Sequence, residues 1–148
     1  MKLSLRQLEQ FDIYYQELMS WNKRINLTAI TDYEDVQIKH FLDSLTVTLA
    51  WQQAISDVDC RLIDVGTGAG IPGIPLKIAF PDIKLVLLEA TTKKAAFLHH
   101  ISRKLGLDNV EILVGRAQLN AGQVHAKPQR LVVLSRAVAP LPTLVELT

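Results

Sequence analysis

The chain has 148 residues, of which 49% are apolar and 21% are charged, and its formal net charge is +1. This apolar fraction excludes a disordered chain, and the near-neutral charge excludes a small polybasic nucleic-acid module but not a local basic patch. A single cysteine excludes a disulfide scaffold and a zinc site built from several cysteines. No apolar run approaches the roughly 18 residues that span a bilayer, and Lys2 and Arg6 interrupt the stretch that a secretory signal needs. The composition therefore predicts a soluble, cytoplasmic globular protein without a membrane partner.

Residues 3 to about 55 have the pattern of helices. Apolar side chains that recur at three- and four-residue steps predict one face of an amphipathic helix. These are Leu5, Leu8, Phe11, Tyr15, Leu18 and Met19. Thr31 and Glu34 have the spacing of a capping box, which predicts that a second helix begins there. His40 and Asp43, about one turn apart in it, have the spacing to bond each other, but the favoured interpretation is that they orient the N-terminal helices against the sheet.

The remainder of the chain alternates short apolar runs with helical patterns. The runs predict strands over residues 60–65, 84–89, 110–114 and 130–135. Helices are predicted over 72–80 and 92–106, the second ending at Gly106. Strands that alternate with helices in this way indicate an α/β fold, a parallel sheet covered on both faces. The predicted organisation is a helical region over 1–55 followed by an α/β domain over 56–148.

A glycine-rich segment from Asp64 to Gly73 follows the first predicted strand and opens a helix, which is the context that makes such a motif informative. Glycines let the backbone turn tightly and let a ligand approach the main chain. The start of the following helix is expected to offer N–H groups to an anionic ligand, and Pro72 suits its first turn. A turn without a ligand is the less favoured interpretation, because so many glycines at a strand end weaken packing.

Two ligands are compatible with this loop. Gly68, Gly70 and Gly73 match the dinucleotide fingerprint, and Glu89 lies about 20 residues further on, where an acid bonds the adenosine ribose. Read from Asp64, the same string has the form D-x-G-x-G-x-G, the first motif of the S-adenosylmethionine-dependent methyltransferases. Both interpretations give Glu89 the same role. The loop alone therefore does not distinguish a nicotinamide-dependent oxidoreductase from a methyltransferase.

Six segments in a fixed order make the pattern specific. They cover residues 21–30, 40–45, 64–76, 88–98, 115–117 and 135–141, and they include the strings WNKRINLTAI, HFLDSL and SRAVAPL. Together they closely resemble the bacterial RsmG family, also called glucose-inhibited division protein B, from about residue 18 to the end. The resemblance implies a Rossmann-like methyltransferase sheet with an N-terminal helical extension. It also implies an enzyme that uses S-adenosylmethionine to methylate N7 of a guanine in 16S ribosomal RNA, within the small ribosomal subunit or its precursor.

The resemblance also implies the site residues, which all follow the C-terminal ends of predicted strands, where open α/β sheets bind ligands. Cofactor contacts are implied for Gly66, Gly68, Gly70, Ile71, Glu89, Ala90, Thr91, Ala117, Gln118 and Arg136. The family commonly has an acid at the position of Gln118, and glutamine keeps the hydrogen bonding but not the charge. Arg136 is the candidate catalytic residue, because its guanidinium suits either the cofactor carboxylate or a guanine edge. A surface salt bridge is the alternative role for Arg136.

Four cations lie on or near one predicted helix and are candidates for RNA phosphate contacts, which would make binding depend on salt. They are Lys93, Lys94, Arg103 and Lys104. A solvated helix face is an equally good explanation for Arg103 and Lys104. Lys93 and Lys94 stand at the helix start, where cations oppose the helix dipole, so an anionic partner is the favoured explanation for them. No group of residues has metal-ligand spacing.

The length raises a further hypothesis. Four strands are visible, whereas family members resemble a seven-stranded sheet in which the first and fourth strands are central. We therefore expect a chain truncated at its C-terminus, with one edge of the fourth strand unpaired. A non-enzymatic alternative follows from this expectation, in which the chain is an inactive fragment that binds RNA or cofactor weakly. The sequence does not indicate an oligomeric state.

Overall fold

A computed structural model of the chain describes residues 2–50, 60–115 and 130–136. Its sheet has four parallel strands in the order β3-β2-β1-β4. The strands are β1 (Cys60–Val65), β2 (Lys84–Glu89), β3 (Val110–Val114) and β4 (Arg130–Ser135). Each begins and ends where its apolar run predicts, because β-branched and aliphatic runs of this kind fit a sheet that is buried on both faces. The predicted α/β class is confirmed.

Strand β1 lies between β2 and β4, so the ends of these three strands are neighbours. Val65 pairs with Leu88 of β2 on one side and with Ser135 of β4 on the other. Because the strands are parallel, the loops that follow β1, β2 and β4 leave from the same edge. Ligands of open α/β sheets bind at this edge.

Helices α4 (Gly73–Ala79) and α5 (Thr92–Lys104) follow β1 and β2. Both lie within the predicted ranges, 72–80 and 92–106. After α5, Gly106 has a φ of 62° and its N–H donates to the Arg103 carbonyl at 3.1 Å. A residue without Cβ adopts this left-handed conformation without strain, so the predicted glycine cap is confirmed.

The first helix, α1, covers Leu5–Ile25 and ends at Asn26, which has a φ of 49°. Its buried side chains are Phe11, Tyr14 and Leu18. The predicted apolar face included Tyr15, but the aromatic side chain that is fully buried is Tyr14, because the three- and four-residue steps from Phe11 to Leu18 pass through it. No helix among the described residues is long and apolar enough to cross a membrane.

Helix α1 packs directly on the α/β part of the chain. The Gln7 side-chain amide donates to the carbonyls of Ile78 and Ala79, at 2.8 and 3.0 Å. The Gln10 amide donates to the Leu105 carbonyl at 2.8 Å. These bonds satisfy carbonyl groups at the ends of α4 and α5 that have no partner within their own helices. The predicted boundary between 55 and 56 lies outside the described residues and stays a prediction.

The second helical segment is continuous but changes type. It consists of α2 (Tyr33–Val36), a π-helical turn (Gln37–Leu42), α3 (Asp43–Thr46) and a 3-10 turn (Val47–Ala50). The predicted start at Thr31 is wrong. Asp32 is the N-cap, and its side chain accepts the Asp35 N–H at 3.0 Å. With the cap one residue later, Glu34 is too close to it to reach back as a capping box requires.

The loop between the two helical segments is organised by the Asn22 side chain. Its oxygen accepts the N–H groups of Leu27 and Thr28, at 2.6 and 2.9 Å, and its amide donates to the Thr28 carbonyl at 2.9 Å. The Thr28 hydroxyl then lies 2.7 Å from Nε2 of His40 in the π-helical turn. These contacts give the segment over 21–30 a structural role, which is to hold the second helical segment against the first.

Candidate functional site

The loop after β1 has three residues in the left-handed region of backbone conformation, which glycine adopts at little cost. Gly66, Gly68 and Gly70 have φ values of 67°, 59° and 90°. A Cβ added at Gly68 would have no heavy atom nearer than the Gly66 carbonyl oxygen at 4.0 Å. At Gly70 the added Cβ would lie 2.4 Å from Cδ1 of Ile74. Gly68 therefore leaves open space beside the main chain, whereas Gly70 allows close packing inside the protein.

The Asp64 carboxylate ties the two ends of this loop together. Its Oδ2 accepts the Thr67 hydroxyl at 2.7 Å and the Gly73 N–H at 2.9 Å. Burial raises the pKa of Asp64 to about 6, against the opposing effect of these two hydrogen bonds, and the negative charge of Glu89 raises it further. The start of α4 was expected to offer N–H groups to a ligand. That expectation is wrong for Gly73, because its N–H is already bonded to Asp64 within the protein.

The predicted acid, Glu89, stands at the end of β2 and faces the loop after β1. Its Oε2 accepts the Gly68 N–H at 2.9 Å, and its Oε1 accepts the Thr91 N–H at 2.8 Å. A carboxylate has about four lone-pair directions, so further hydrogen bonds can be accepted. The structure thus brings together Gly68, Glu89 and Thr91, with Ala90 exposed between the last two.

Arg136 follows β4, directly after the Ser135 that pairs with Val65. Its Nη2 donates to the Lys39 carbonyl at 2.9 Å and forms an ion pair with Asp43 at 3.0 Å. Its Nη1 is buried and has no hydrogen-bond partner among the described residues. The structure therefore contains the salt bridge that was the alternative role of Arg136, and it leaves Nη1 without a hydrogen-bond partner among the described residues.

His40 and Asp43 bond other residues and not each other, which was the less favoured of their two predicted roles. His40 is buried and its ring contacts Thr28, while Asp43 pairs with Arg136. Burial lowers the pKa of His40, and the positive charge of Arg136 lowers it further. His40 is thus neutral near pH 7. Asp43 has the expected role of orienting the N-terminal helices against the sheet, because it pairs with Arg136 after β4. His40 instead joins the second helical segment to the loop that follows α1.

The structure divides the four candidate RNA-binding cations into two groups. Lys93 is exposed and Lys94 is half-buried at the start of α5, directly after the loop of Glu89. Arg103 and Lys104 stand at the other end, roughly 15 Å away at 1.5 Å per residue. Lys104 lies 3.7 Å from the Glu17 carboxylate of α1. An intramolecular ion pair and the dipole of α5 are therefore sufficient to explain why a cation stands at position 104.

The remaining predicted site residues have different positions. The Ile71 side chain is buried in the main core, and its N–H donates to the Thr67 carbonyl at 3.1 Å. Ala117 and Gln118 lie outside the described residues. One contact to the loop was missed, from the Tyr14 hydroxyl to the Ala69 carbonyl. The position of Tyr14 between Phe11 and Leu18 was the available signal for its burial.

Comparisons with known proteins agree on one family. A family model for GidB, described as rRNA small subunit methyltransferase G, matches residues 7–148. A protein of Dehalococcoides mccartyi named Ribosomal RNA small subunit methyltransferase G is 57% identical over 142 residues, covering 96% of this chain and 59% of that protein. A protein of the same name from Roseiflexus castenholzii is 47% identical over 146 residues, covering 99% of this chain and 61% of that protein. This chain therefore spans about 60% of the length of these curated relatives.

A solved structure supports the fold. The crystal structure of a mutant of MtNAS aligns with a TM-score of 0.52 at 17% sequence identity, covering 92% of this chain and 50% of that one. At this identity the similarity concerns the fold alone. It is consistent with the parallel sheet and its covering helices.

Proposed function

Because this chain belongs to the GidB family of small-subunit rRNA methyltransferases, we propose that it transfers a methyl group from S-adenosylmethionine to N7 of a guanine in 16S ribosomal RNA. The substrate in this proposal is the small ribosomal subunit or its precursor. One structural observation carries the proposal, which is the convergence of Gly68, Glu89 and Arg136 at the edge where β1, β2 and β4 end.

The residues at this edge fit the chemistry of the proposed cofactor. The open space beside Gly68 admits a ligand close to the main chain. Glu89 can accept hydrogen bonds from the two ribose hydroxyls while it keeps its bonds to the loop. Nη1 of Arg136, which has no partner among the described residues, has the chemistry to donate to a carboxylate or a carbonyl oxygen. When bound, S-adenosylmethionine supplies an activated methyl group on its sulfonium sulfur.

The proposed reaction needs alignment rather than proton transfer. Guanine N7 has an in-plane lone pair on the major-groove edge and loses no proton when it is methylated. A general base is therefore not required. Alignment of reacting groups can contribute up to roughly 7–11 kcal/mol in favourable cases. Asp43 and the Lys39 carbonyl hold Nη2 of Arg136, so the direction of Nη1 is set before a ligand binds.

We expect Glu89→Gln to weaken S-adenosylmethionine binding about tenfold or more, because the amide replaces an acceptor by a donor facing a backbone N–H. A lost hydrogen bond with an unsatisfied partner costs about 1–3 kcal/mol. Calorimetry with S-adenosylmethionine and with NAD measures both affinities. The control is Glu111→Gln, which removes an exposed carboxylate of β3 that pairs with Arg61. Binding of NAD but not of S-adenosylmethionine by the wild type would contradict the proposal.

The RNA part of the proposal is tested in cells. In a strain that lacks the protein, nucleoside mass spectrometry of 16S RNA is expected to show a loss of 7-methylguanosine. Complementation with the wild type and with Glu111→Gln restores the signal, and complementation with Glu89→Gln does not. Unchanged 7-methylguanosine on deletion removes the substrate claim. An in vitro assay that compares this chain with a C-terminally longer version separates an enzyme from an inactive fragment.

The proposal extends to Lys93, Lys94, Arg103 and Lys104 as phosphate contacts, with the first pair expected to contribute more. Lys93→Ala combined with Lys94→Ala should weaken binding of a 16S RNA fragment and reduce the slope of log affinity against log salt by about 2, roughly 1 for each cation. Fluorescence anisotropy at several salt concentrations gives the slope. The control replaces Lys2 and Arg6, which are exposed at the start of the chain. Equal slopes for both double variants would rule out the assignment.

A further inference from the structure

A side chain of the N-terminal helix contacts the middle of the glycine-rich loop. Tyr14 of α1 is fully buried, and its hydroxyl donates to the Ala69 carbonyl at 2.6 Å, across 55 residues of sequence. The ring stacks on Phe41 of the π-helical turn, with centroids 5.1 Å apart and planes at 21°. The hydroxyl therefore approaches the loop from a ring that is fixed by packing on the second helical segment.

Other hydrogen bonds from side chains hold this loop at positions other than Ala69. Asp64 holds its two ends through Thr67 and Gly73, and Glu89 holds the Gly68 N–H. The Ala69 carbonyl lies between them. Glycine loses more conformational freedom on folding than any other residue, and Ala69 has a glycine on either side. A fixed acceptor at this point therefore restricts a part of the backbone whose ordering has a high entropic cost.

Tyr14 is also suited to act as a permanent donor. Burial raises the pKa of Tyr14 well above its ordinary value, and the negative charge of Asp64 raises it further. The hydroxyl therefore keeps its proton throughout the pH range in which the protein is used. An O–H to O distance near 2.6 Å is at the short end of ordinary hydrogen bonds, so the contact constrains the carbonyl position closely.

We infer that Tyr14 is a positioning residue for the cofactor loop: through the Ala69 carbonyl, α1 holds the backbone so that the open side of Gly68 faces the ligand. The inference rests on the proposed function for the identity of the ligand, S-adenosylmethionine. Tyr14 does not touch the ligand in this inference. It acts on affinity by ordering the loop before binding, which lowers the conformational cost of binding.

The test removes only the hydroxyl. Tyr14→Phe keeps the ring and its stack on Phe41, and we expect S-adenosylmethionine to bind five- to tenfold more weakly in calorimetry. The matched control is Tyr15→Phe, the same change at the next residue, whose hydroxyl donates to the exposed Thr31 carbonyl at 3.3 Å. Its affinity should equal that of the wild type. Equal affinities for both variants would overturn the inference while leaving the proposed function intact.

A second readout requires no ligand. The N–H groups of Gly70 and Ile71 donate to the Thr67 carbonyl at 2.9 and 3.1 Å, so their hydrogen exchange reports the order of the loop. In Tyr14→Phe these amides should exchange at least fivefold faster relative to the amides of β2, and in Tyr15→Phe the ratio should not change. A uniform increase over loop and sheet would mean general destabilisation and would overturn the inference. A change confined to the loop in a protein that binds no S-adenosylmethionine would support the inference about Tyr14 and remove the proposed function.

Discussion

Replacing Gly70 by alanine is expected to lower the free energy of unfolding by about 3 kcal/mol, the sum of two costs. A φ of 90° disfavours any residue with a Cβ, at roughly 1–2 kcal/mol. The new Cβ would also lie 2.4 Å from Cδ1 of Ile74 and 3.2 Å from Cδ2 of Leu98. Both side chains are fully buried, so they cannot move into solvent, and overpacking of this kind costs roughly 1–3 kcal/mol.

Gly68→Ala is the matched comparison within the same loop. Its φ of 59° is also positive, but the added Cβ would meet only the Gly66 carbonyl oxygen, at 4.0 Å. We expect a loss of about 1 kcal/mol in stability from backbone strain and a loss of more than tenfold in S-adenosylmethionine affinity. Urea unfolding and calorimetry measure the two quantities. If both alanine variants had the same stability, the assignment of Gly70 to internal packing would be wrong.

Asp64 is expected to make the free energy of unfolding fall as the pH rises from about 4 to about 6. The native pKa of Asp64 is raised to about 6 from an ordinary value of 3.8, mainly by burial. Between these values the unfolded chain loses the proton while the native protein keeps it, so the native state becomes relatively less stable as pH increases. Below pH 4 both states are protonated, and above pH 6 both are ionised. The accumulated difference is on the order of 3 kcal/mol.

Asp64→Asn isolates this contribution from the other ionisable groups. The asparagine oxygen can still accept the bonds of Thr67 and Gly73, but the amide cannot ionise. The stability of this variant relative to wild type should therefore increase by about 3 kcal/mol between pH 4 and pH 7, as measured by urea unfolding at each pH. The control is Asp82→Asn, which removes an exposed carboxylate and shows how much the loss of any one carboxylate changes the pH dependence of stability. Parallel stability curves for wild type and Asp64→Asn would show that the buried carboxyl does not titrate in this range.

The strands of the sheet could be predicted because each is a short apolar run that is recognisable from its own residues. The four central residues of the run over 84–89 are aliphatic, and Glu89 marks its end as clearly as Gly66 marks the end of β1. The helix starts were harder to predict. Thr31 and Asp32 are adjacent residues that can both cap a helix, and the chain uses the second. Ser4 and Gln7 form the capping box that the structure does contain, and their spacing satisfies the same rule.

The site shows the same division between local and long-range information. Glu89 and the loop glycines follow a motif, so their meeting was predictable. Asp43 with Arg136, and Tyr14 with Ala69, join segments whose relative position depends on how the N-terminal helices dock. No local spacing encodes such pairs. The one-turn spacing of His40 and Asp43 left open a contact between neighbours, but both have partners elsewhere in the chain.

The attachment of α1 has a consequence for the order of folding during synthesis. The polar side chains that fasten it bond residues made much later, with separations of 55 residues for Tyr14, 71 for Gln7 and 95 for Gln10. At roughly 5–20 residues per second, α1 leaves the ribosome several seconds before Leu105, the last of these partners. Until then α1 can pack only on the second helical segment, for example through the contact of Phe11 with Phe41. Contacts between such distant residues also form slowly, so we expect the first helix to be synthesised to dock after the parallel sheet has assembled.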